Sequence, residues 1–510
     1  MLFAEVVAAS GAVAATRSRT AKSAALAALL RVAGPGEVEP VAAWLSGEPR
    51  QGRLGLGWRT LTRAAYEAAA EPGLTVDAVD TALTELAGTS GAGSVARRDA
   101  VLAGLLGAAT ADEQRFLIRL LTGELRQGAL EGVLADAVAL AAEVPAAAVR
   151  RAAMLTGSVP ATAATALSGG VAALEAETLR VGRPVRPMLA SPGSSLDAAL
   201  ADLSTDVTVE HKLDGARIQV HRDGDDVRVW TRTLREVTDG VPELVERIRA
   251  LPCRTAVLDG ETLALDDDGR PRAFQDTMSR FGSDSPDPAV VLSPFLFDVL
   301  HLDGRDLLDE PLAVRLDALA ELLAAEEHAP LRMPGVRSPT PEQAAGVLDS
   351  ALAAGHEGVV VKALDAPYAA GRRGKAWQKV KPVHTLDLVV IGAEWGYGRR
   401  TGSLSNIHLA ARDPDGGEPV MVGKTFKGMT DELLAWQTAT FPEYAVERPD
   451  WGVRLRPELV VEVAVDGAQR STRYRGGVAL RFARVLRYRP DKTTAEADTL
   501  DAIRALLAGG

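Results

Sequence analysis

The chain has a single cysteine, Cys253, in 510 residues. That excludes an intramolecular disulfide and any multi-cysteine zinc site, and it fits a reducing compartment. No stretch approaches twenty uninterrupted apolar residues, so no membrane span is expected. The apolar start, Met1 to Ala15, lacks a basic leading region and carries Glu5, and it reads as an amphipathic helix rather than a signal peptide. The seven histidines are scattered between His211 and His408 with no HxxxH pair, and they read as ordinary surface or core residues. Lysine is the other scarcity, with nine against forty-eight arginines. Arginine keeps its proton in proteins whereas lysine can lose it, so the remaining lysines mark places where an amine or a compact charge is required. Only Lys22 precedes position 210; Lys212, Lys362, Lys375, Lys379, Lys381 and Lys492 fall in segments that read as functional on other grounds.

The length calls for two to four domains, each with its own core. Residues 1–170 are Ala/Leu-rich with helical periodicity. There Thr110-Ala111-Asp112-Glu113 forms a capping-box pattern ahead of Phe116, Leu117, Leu120 and Leu121. Gly123 and Gly128 then indicate a junction before a second helix from about Leu130, either a phosphate-holding turn or a plain helical hairpin. Residues 156–187, with Gly-Ser, Gly-Gly and Gly182-Arg183-Pro184-Val185-Arg186-Pro187, read as a linker zone. Residues 184–383 mix alternating strand runs (Val207–Val209, Ile218–His221, Val227–Trp230, Pro294–Leu300, Gly358–Lys362) with helical stretches near 240–250, 311–327 and 341–354, which predicts a mixed α/β domain. Residues 384–510 are strand-rich, with a helix near 430–440, and suit a small Greek-key barrel such as an OB-fold.

The net charge of −11 is unevenly placed. Residues 1–183 hold 17 basic and 18 acidic side chains, 384–510 hold 17 and 17, and the middle holds 23 and 33. Arg470 to Lys492 contains eight basic residues and one acid, Asp491, a stripe able to meet phosphates or simply a solvated strand face.

The most informative segment is Glu210-His211-Lys212-Leu213-Asp214-Gly215-Ala216-Arg217. A lysine followed at these spacings by Asp, Gly and Arg suits an amine that attacks a nucleotide phosphate. Such an amine must be neutral near pH 7, while a free lysine titrates near about 10.4. Neighbouring cations, a metal ion and partial burial can supply the difference. Arg217, Arg232, Arg373, Lys379 and Lys381 are the available cations, and Glu261 and Glu357 are candidate oxygen ligands; taken singly, each acid also reads as a turn residue beside a glycine.

Taken in order, Lys212–Arg217, Thr231-Arg232, Asp259-Gly260-Glu261, Phe297 within Leu-Phe-Asp, Glu357–Lys362, Trp377–Lys381 and Arg489-Pro490-Asp491-Lys492 resemble the covalent nucleotidyltransferase superfamily, and within it the ATP-dependent DNA ligases. The helical N-terminal part, Asn406–Ala411 and Val422–Asp431 extend the likeness to three-domain ligases of archaeal and eukaryotic type, and the composition is most similar to actinobacterial members. The resemblance implies a multidomain protein: an all-α DNA-binding domain, a mixed α/β adenylation domain and an all-β OB-fold domain. It implies that Lys212 is adenylylated, that Glu210 reads the adenine amino group and that Phe297 stacks on the ring. Arg217, Arg232 and Glu261 would hold ribose and phosphate, and Glu261 and Glu357 would serve the metal, Mg²⁺ or Mn²⁺. Arg373, Lys379 and Lys381 would meet phosphates, and Asp491 and Lys492 would orient the pyrophosphate. Lys362, at the end of its strand, is assigned no role. The implied partners are ATP and nicked duplex DNA, for a monomer in the bacterial cytosol, and nothing in the sequence names a recruiting sliding clamp or repair protein. The rivals are an RNA ligase or capping-type guanylyltransferase, disfavoured by the long helical domain and the RxDK element, and a non-catalytic DNA-binding scaffold, disfavoured by intact Lys212, Glu261 and Glu357. An NAD-dependent ligase would carry a four-cysteine zinc module, which one cysteine cannot build.

Overall fold

The computed structural model describes the chain except residues 53, 58–59, 62–65, 126–130, 204–205, 273, 283–289, 371–373, 382–383, 398–399 and 508–510. Helices fill the first third. Phe3–Ala15, Arg19–Val32 and Val38–Ser46 pack with Ala111–Leu121 and Glu131–Ala142 around Phe3, whose ring meets Trp44 at 5.4 Å and Phe116 at 5.5 Å, both edge-on. Edge-to-face geometry is the favoured arrangement for such rings. The capping box forms as the sequence predicts: Thr110 N–H donates to the Glu113 carboxylate at 2.8 Å, and Glu113 N–H donates to Thr110 Oγ1 at 3.4 Å. Gly123 turns the chain at φ 71°, while Gly128 lies outside the described residues, so the phosphate-holding turn is undecided.

One expectation is corrected. Much of the stretch read as a linker, 156–187, is the helix Val159–Glu175. Ser158 caps it through Ala161 N–H at 3.2 Å, Pro160 sits in the first turn where its missing N–H costs nothing, and alanines fill the body. The Gly-Gly pair that suggested a linker produces only a kink, at Gly170 with φ 61°.

The middle part is two five-stranded sheets. Its strands are β1 (Ser191–Pro192), β2 (Val207–Lys212), β3 (Ala216–Asp223), β4 (Asp226–Thr231), β5 (Thr255–Ala264), β6 (Leu292–Leu302), β7 (Arg305–Asp306), β8 (Gly335–Arg337), β9 (Gly358–Ala363) and β10 (Trp377–Val380). They assemble as β1-β10-β9-β2-β8 and β4-β3-β5-β6-β7. Helices Pro242–Arg249, Leu312–Leu322 and Pro341–Ala353 lie near the expected positions. The turn from β2 into β3 crosses β5 so closely that any side chain at Gly215 would run into the Thr262 carbonyl. That crossing leaves Lys212 on one sheet and Arg217 on the other.

The C-terminal part is sheet-rich, with β11 (His384–Trp395), β12 (Leu404–Ala411), β13 (Val420–Thr425), β14 (Ala445–Glu447), β15 (Gly452–Val465), β16 (Gly467–Arg470), β17 (Val478–Arg481) and β18 (Arg484–Tyr488). The order is β13-β12-β11-β15-β14, with β18 also on β15 and β16–β17 as a separate pair. The helix Asp431–Tyr444 packs on β12 and β15 through Phe441 and Leu434. Among the described residues no helix is long and apolar enough to cross a membrane.

The helical part meets the middle part through Met154 and Leu155, buried with Val185 and Met188, and through a bidentate Arg151–Asp309 pair at 2.5 and 2.6 Å. The segment after Glu175 then runs along β3, where His221 Nδ1 accepts from Gly182 N–H at 2.9 Å. Burial pushes the His221 pKa down to about 3. An unfolded histidine titrates near about 6.5, so between those values the unfolded chain binds a proton that the folded chain refuses. This contribution to stability is therefore full above the unfolded pKa and is lost as pH falls towards the folded one. His221→Asn should flatten the fall in Tm between about pH 6.5 and pH 4, read by thermal unfolding at fixed ionic strength. An unchanged slope would place the acid sensitivity elsewhere.

Candidate active site

A cleft of about 270 Å³ opens between the two sheets. β2 lines it with Glu210 and Lys212, two positions apart and therefore on one face. β9 adds Val360 and Lys362, and its neighbour β10 adds Trp377 and Lys379, each directly opposite in the ladder. The other sheet supplies Arg217, Glu261 and Phe297; Arg232 follows β4, and Leu189 and Ala190 of the linking segment close the side.

Four ion pairs organise the walls. Lys212 Nζ is held by the Glu357 carboxylate. Glu357 reaches that position because Gly358, at φ 143°, packs where any side chain would strike the Val380 carbonyl, and because Glu357 N–H donates to Lys212 O at 3.0 Å. Glu210 and Lys362 form a buried pair at 2.5 Å, with Lys362 Nζ 4.2 Å from the Phe297 ring centre and 4.5 Å from that of Trp377. Burial raises the Glu210 pKa against the pull of Lys362. Arg217 and Asp259 make a bidentate pair at 3.0 and 2.6 Å. Asp214 pairs with Arg481 at 2.5 Å, and Arg481 also reaches Glu357 at 3.5 Å. Glu261 sits among these charges; burial raises its pKa to about 7, opposed by Arg217 and Lys212. Burial and the nearby Lys212 and Lys381 lower that of Lys379.

The structure sorts the predicted residues. Lys212, Glu210, Arg217, Arg232, Glu261, Phe297 and Lys379 lie in the cleft. Glu357 stands at its edge on Lys212. Glu261 lies within β5 rather than in a turn, whereas Glu357 sits in the connection just before β9, beside Gly358. Arg373 lies outside the described residues. Lys381 is not part of the cleft wall; it pairs with Asp466 of the C-terminal part. Asp491 and Lys492 are not brought to the cleft either. Lys492 Nζ is 2.5 Å from Asp387, and Asp491 is bound by Arg489 at 2.7 Å.

Sequence reasoning left out several residues. Lys362, marked among the scarce lysines but given no role, is buried and lines the cleft beside Phe297 and Trp377. Tyr368 is fully buried, donates to Asp259 Oδ2 at 2.7 Å and accepts from Met188 N–H at 3.0 Å. Asp259 anchors Arg217, so most of that guanidinium is engaged by protein, including Met188 O at 2.5 Å. The available signal was the scarcity of tyrosine, with six in the chain.

Comparison with known proteins agrees with this architecture. Residues 187–381 match the ATP dependent DNA ligase domain, 66–139 the DNA ligase N terminus, and 400–492 the ATP dependent DNA ligase C terminal region. A probable DNA ligase of Rhodococcus jostii is 64% identical over 509 residues, covering 100% of both chains. A probable DNA ligase of Saccharopolyspora erythraea is 62% identical over 504 residues, covering 99% of this chain and 98% of its own. The solved structure Pmar-Lig_PreS3 shares the fold, with a TM-score of 0.63 at 17% identity over 95% of this chain and 99% of that one. Paired sheets around a lysine-bearing cleft, with a helical part before and a sheet-rich part after, are the layout of a three-domain nucleotidyltransferase. The chain belongs to the ATP-dependent DNA ligase family.

The Arg217–Asp259 pair gives a stability prediction. Asp259→Ala leaves a buried guanidinium without its counter-charge, and breaking such a pair costs about 3–5 kcal/mol. Denaturant unfolding should show a loss of that order, with the largest Tm change among single variants of the cleft. A change under about 1 kcal/mol, the usual value for an exposed pair, would mean that solvent reaches Arg217.

Proposed function

We propose that Lys212 forms the covalent lysyl-AMP intermediate and that the chain seals nicks in duplex DNA in three steps. Lys212 attacks the α-phosphate of ATP and pyrophosphate leaves. The AMP passes to the 5′-phosphate at the nick. The 3′-hydroxyl then displaces AMP and the strand is closed. The observation that carries this reading is the Lys212 amine, set where the two sheets meet the C-terminal part, with Glu357, Asp214 and Arg481 around it. An amine in an ion pair is a poor nucleophile, so Glu357 must release Lys212 before attack.

Glu261 in the cleft wall and Glu357 on Lys212 supply hard oxygens, and the described residues contain no cluster of three or more metal-ligating side chains. That donor set fits a Mg²⁺ or Mn²⁺ ion shared with nucleotide phosphates rather than caged by protein. When bound, the ion neutralises developing phosphate charge. Glu210 would accept from the adenine amino group and Lys362 would donate to an acceptor on the ring edge, with Phe297 and Trp377 packing on its faces. We take residues 1–170, 184–383 and 384–510 as DNA-binding, adenylation and OB-fold units acting as a monomer in the cytosol, with Arg373 joining the phosphate contacts.

The C-terminal part stands with Arg481 and the exposed Phe482 at the cleft mouth and Asp491–Lys492 turned to Asp387. This arrangement suits the DNA-joining steps; ATP attack requires the 489–492 element at the cleft instead. Lys212→Arg should abolish the acid-labile AMP adduct and sealing from ATP, and an adduct at wild-type level would move the nucleophile elsewhere. Asp491→Ala with Lys492→Ala should form little adduct yet seal a pre-adenylylated nick. Arg481→Ala should do the reverse, forming adduct normally while sealing that nick more slowly. Single-turnover assays of each step check the pair, and matching defects in both variants would refute the division of labour.

A further inference from the structure

β3 carries three polar side chains at alternate positions, Arg217, Gln219 and His221, and strand alternation sets them on one face. Only Arg217 reaches the cleft. Gln219 and His221 are buried, at 4% and 1% exposure, and ligation chemistry as described uses neither.

All three hold the backbone of one segment. His221 Nδ1 accepts from Gly182 N–H at 2.9 Å, so its proton lies on Nε2, which donates to Gln219 Oε1 at 3.0 Å. Gln219 Oε1 also accepts from Val185 N–H at 2.7 Å, and its Nε2 donates to Val185 O at 3.0 Å. Arg217 Nη1 donates to Met188 O at 2.5 Å. Each partner fixes the role of the next, which leaves no freedom for an amide flip or the other imidazole tautomer.

An ordinary strand ladder cannot do this work. The β3 backbone is already paired with β4 on one side and β5 on the other. The segment itself contains Pro184 and Pro187, which have no N–H to offer. Its remaining backbone donors are all placed: Gly182 N–H on His221, Arg183 N–H on Arg180 O at 3.1 Å, Val185 N–H on Gln219, Arg186 N–H on Met154 O at 2.9 Å and Met188 N–H on the Tyr368 hydroxyl at 3.0 Å. Arg186 Nε further donates to Gly157 O at 3.0 Å. The segment is thus tied to β3 on one side and to the helical part on the other. One residue beyond Met188 it becomes the cleft wall, at Leu189 and Ala190.

We propose that Gln219 and His221 are positioning residues that zip the interdomain segment to β3, so that the nucleotide-cleft wall and the helical part keep a common register with Arg217. The proposal rests on the assignment of the nucleotide to this cleft. Gln219→Leu and His221→Leu remove the bonds while filling most of the space; His221→Asn keeps an acceptor near the Nδ1 position. In the full-length enzyme, both Leu variants should raise the KM for ATP in adduct formation and weaken nicked-DNA binding by about fivefold to tenfold, the size expected for one or two lost neutral hydrogen bonds. The kcat should stay near wild type, and His221→Asn should recover most of the loss. Trypsin should cut faster after Arg180 in the Leu variants, and Trp230, which meets His221 edge-on at 4.6 Å, should change its emission. If His221→Leu does not fold, Gln219→Glu, which loses the donor to Val185 O, carries the same comparison. Folded variants with wild-type KM, wild-type nick affinity and unchanged cleavage would overturn the proposal, as would a lowered Tm with no change in those three. Absence of any ATP-derived adduct on Lys212 in the wild type would sink the cleft assignment instead, and the nucleotide half of the proposal with it, while nick affinity and cleavage would still decide the domain half.

Discussion

The buried pair between Arg217 and Asp259 is the constraint on which the rest of the molecule depends. Asp259 has no exposed surface, and its two oxygens take Arg217 and the Tyr368 hydroxyl. A carboxylate so placed is tolerable only because it is fully paired. Arg217 uses its remaining reach on Met188 O, and Tyr368 takes Met188 N–H, so one residue of the linking segment is gripped on both sides. The two sheets, the segment from the helical part and the floor of the cleft therefore meet at one guanidinium. A substitution there acts on all of them, which is why Arg217 is poorly described as a substrate contact alone.

The cleft is charged yet nearly neutral in sum. Lys212 with Glu357, Glu210 with Lys362, Arg217 with Asp259 and Asp214 with Arg481 pair off most of its side chains. In the proposed cycle the phosphates of ATP would compete for the cations, and a metal ion for the carboxylates. Each exchange replaces a protein pair by a protein–nucleotide pair, so no charge is ever left buried and bare. Glu261 shows the alternative: burial moves its pKa to about 7 against the opposing pull of Arg217 and Lys212.

Much of this was legible in the sequence, for identifiable reasons. Strand alternation placed β3, β4 and β6, and the Thr110–Glu113 pattern set a helix start, because both are local. Scarcity of lysine pointed to Lys212 and to Lys379, which both lie in the cleft. What was illegible is non-local. The Gly-Gly pair at 169–170 looked like a linker because propensity does not know that neighbouring helices pack on both halves of a kinked helix. Glu261 also read as a turn acid beside a glycine, and only the pairing of β3 with β5 sets it opposite Arg217 in the ladder. The position of Asp491 and Lys492 depends on how one domain stands on another, and no periodicity encodes that.

That stance is held by weak contacts, and the weakness has a purpose in the cycle. Arg481–Asp214 and Lys381–Asp466 bridge the middle and C-terminal parts, and their side chains are roughly a fifth to a quarter exposed. Solvent-screened pairs of this kind contribute about 0.2–1 kcal/mol each, far less than a buried apolar interface would. Lys492–Asp387 keeps the 489–492 element folded on its own domain at similarly modest cost. A triphosphate offers these same cations stronger, charge-assisted bonds. In the proposed cycle, binding of ATP would turn the C-terminal part, and loss of pyrophosphate would remove the reason for it to stay turned. On that proposal the direction of the cycle would follow from which anion, Asp214 and Asp387 or phosphate, is available to Arg481 and Lys492.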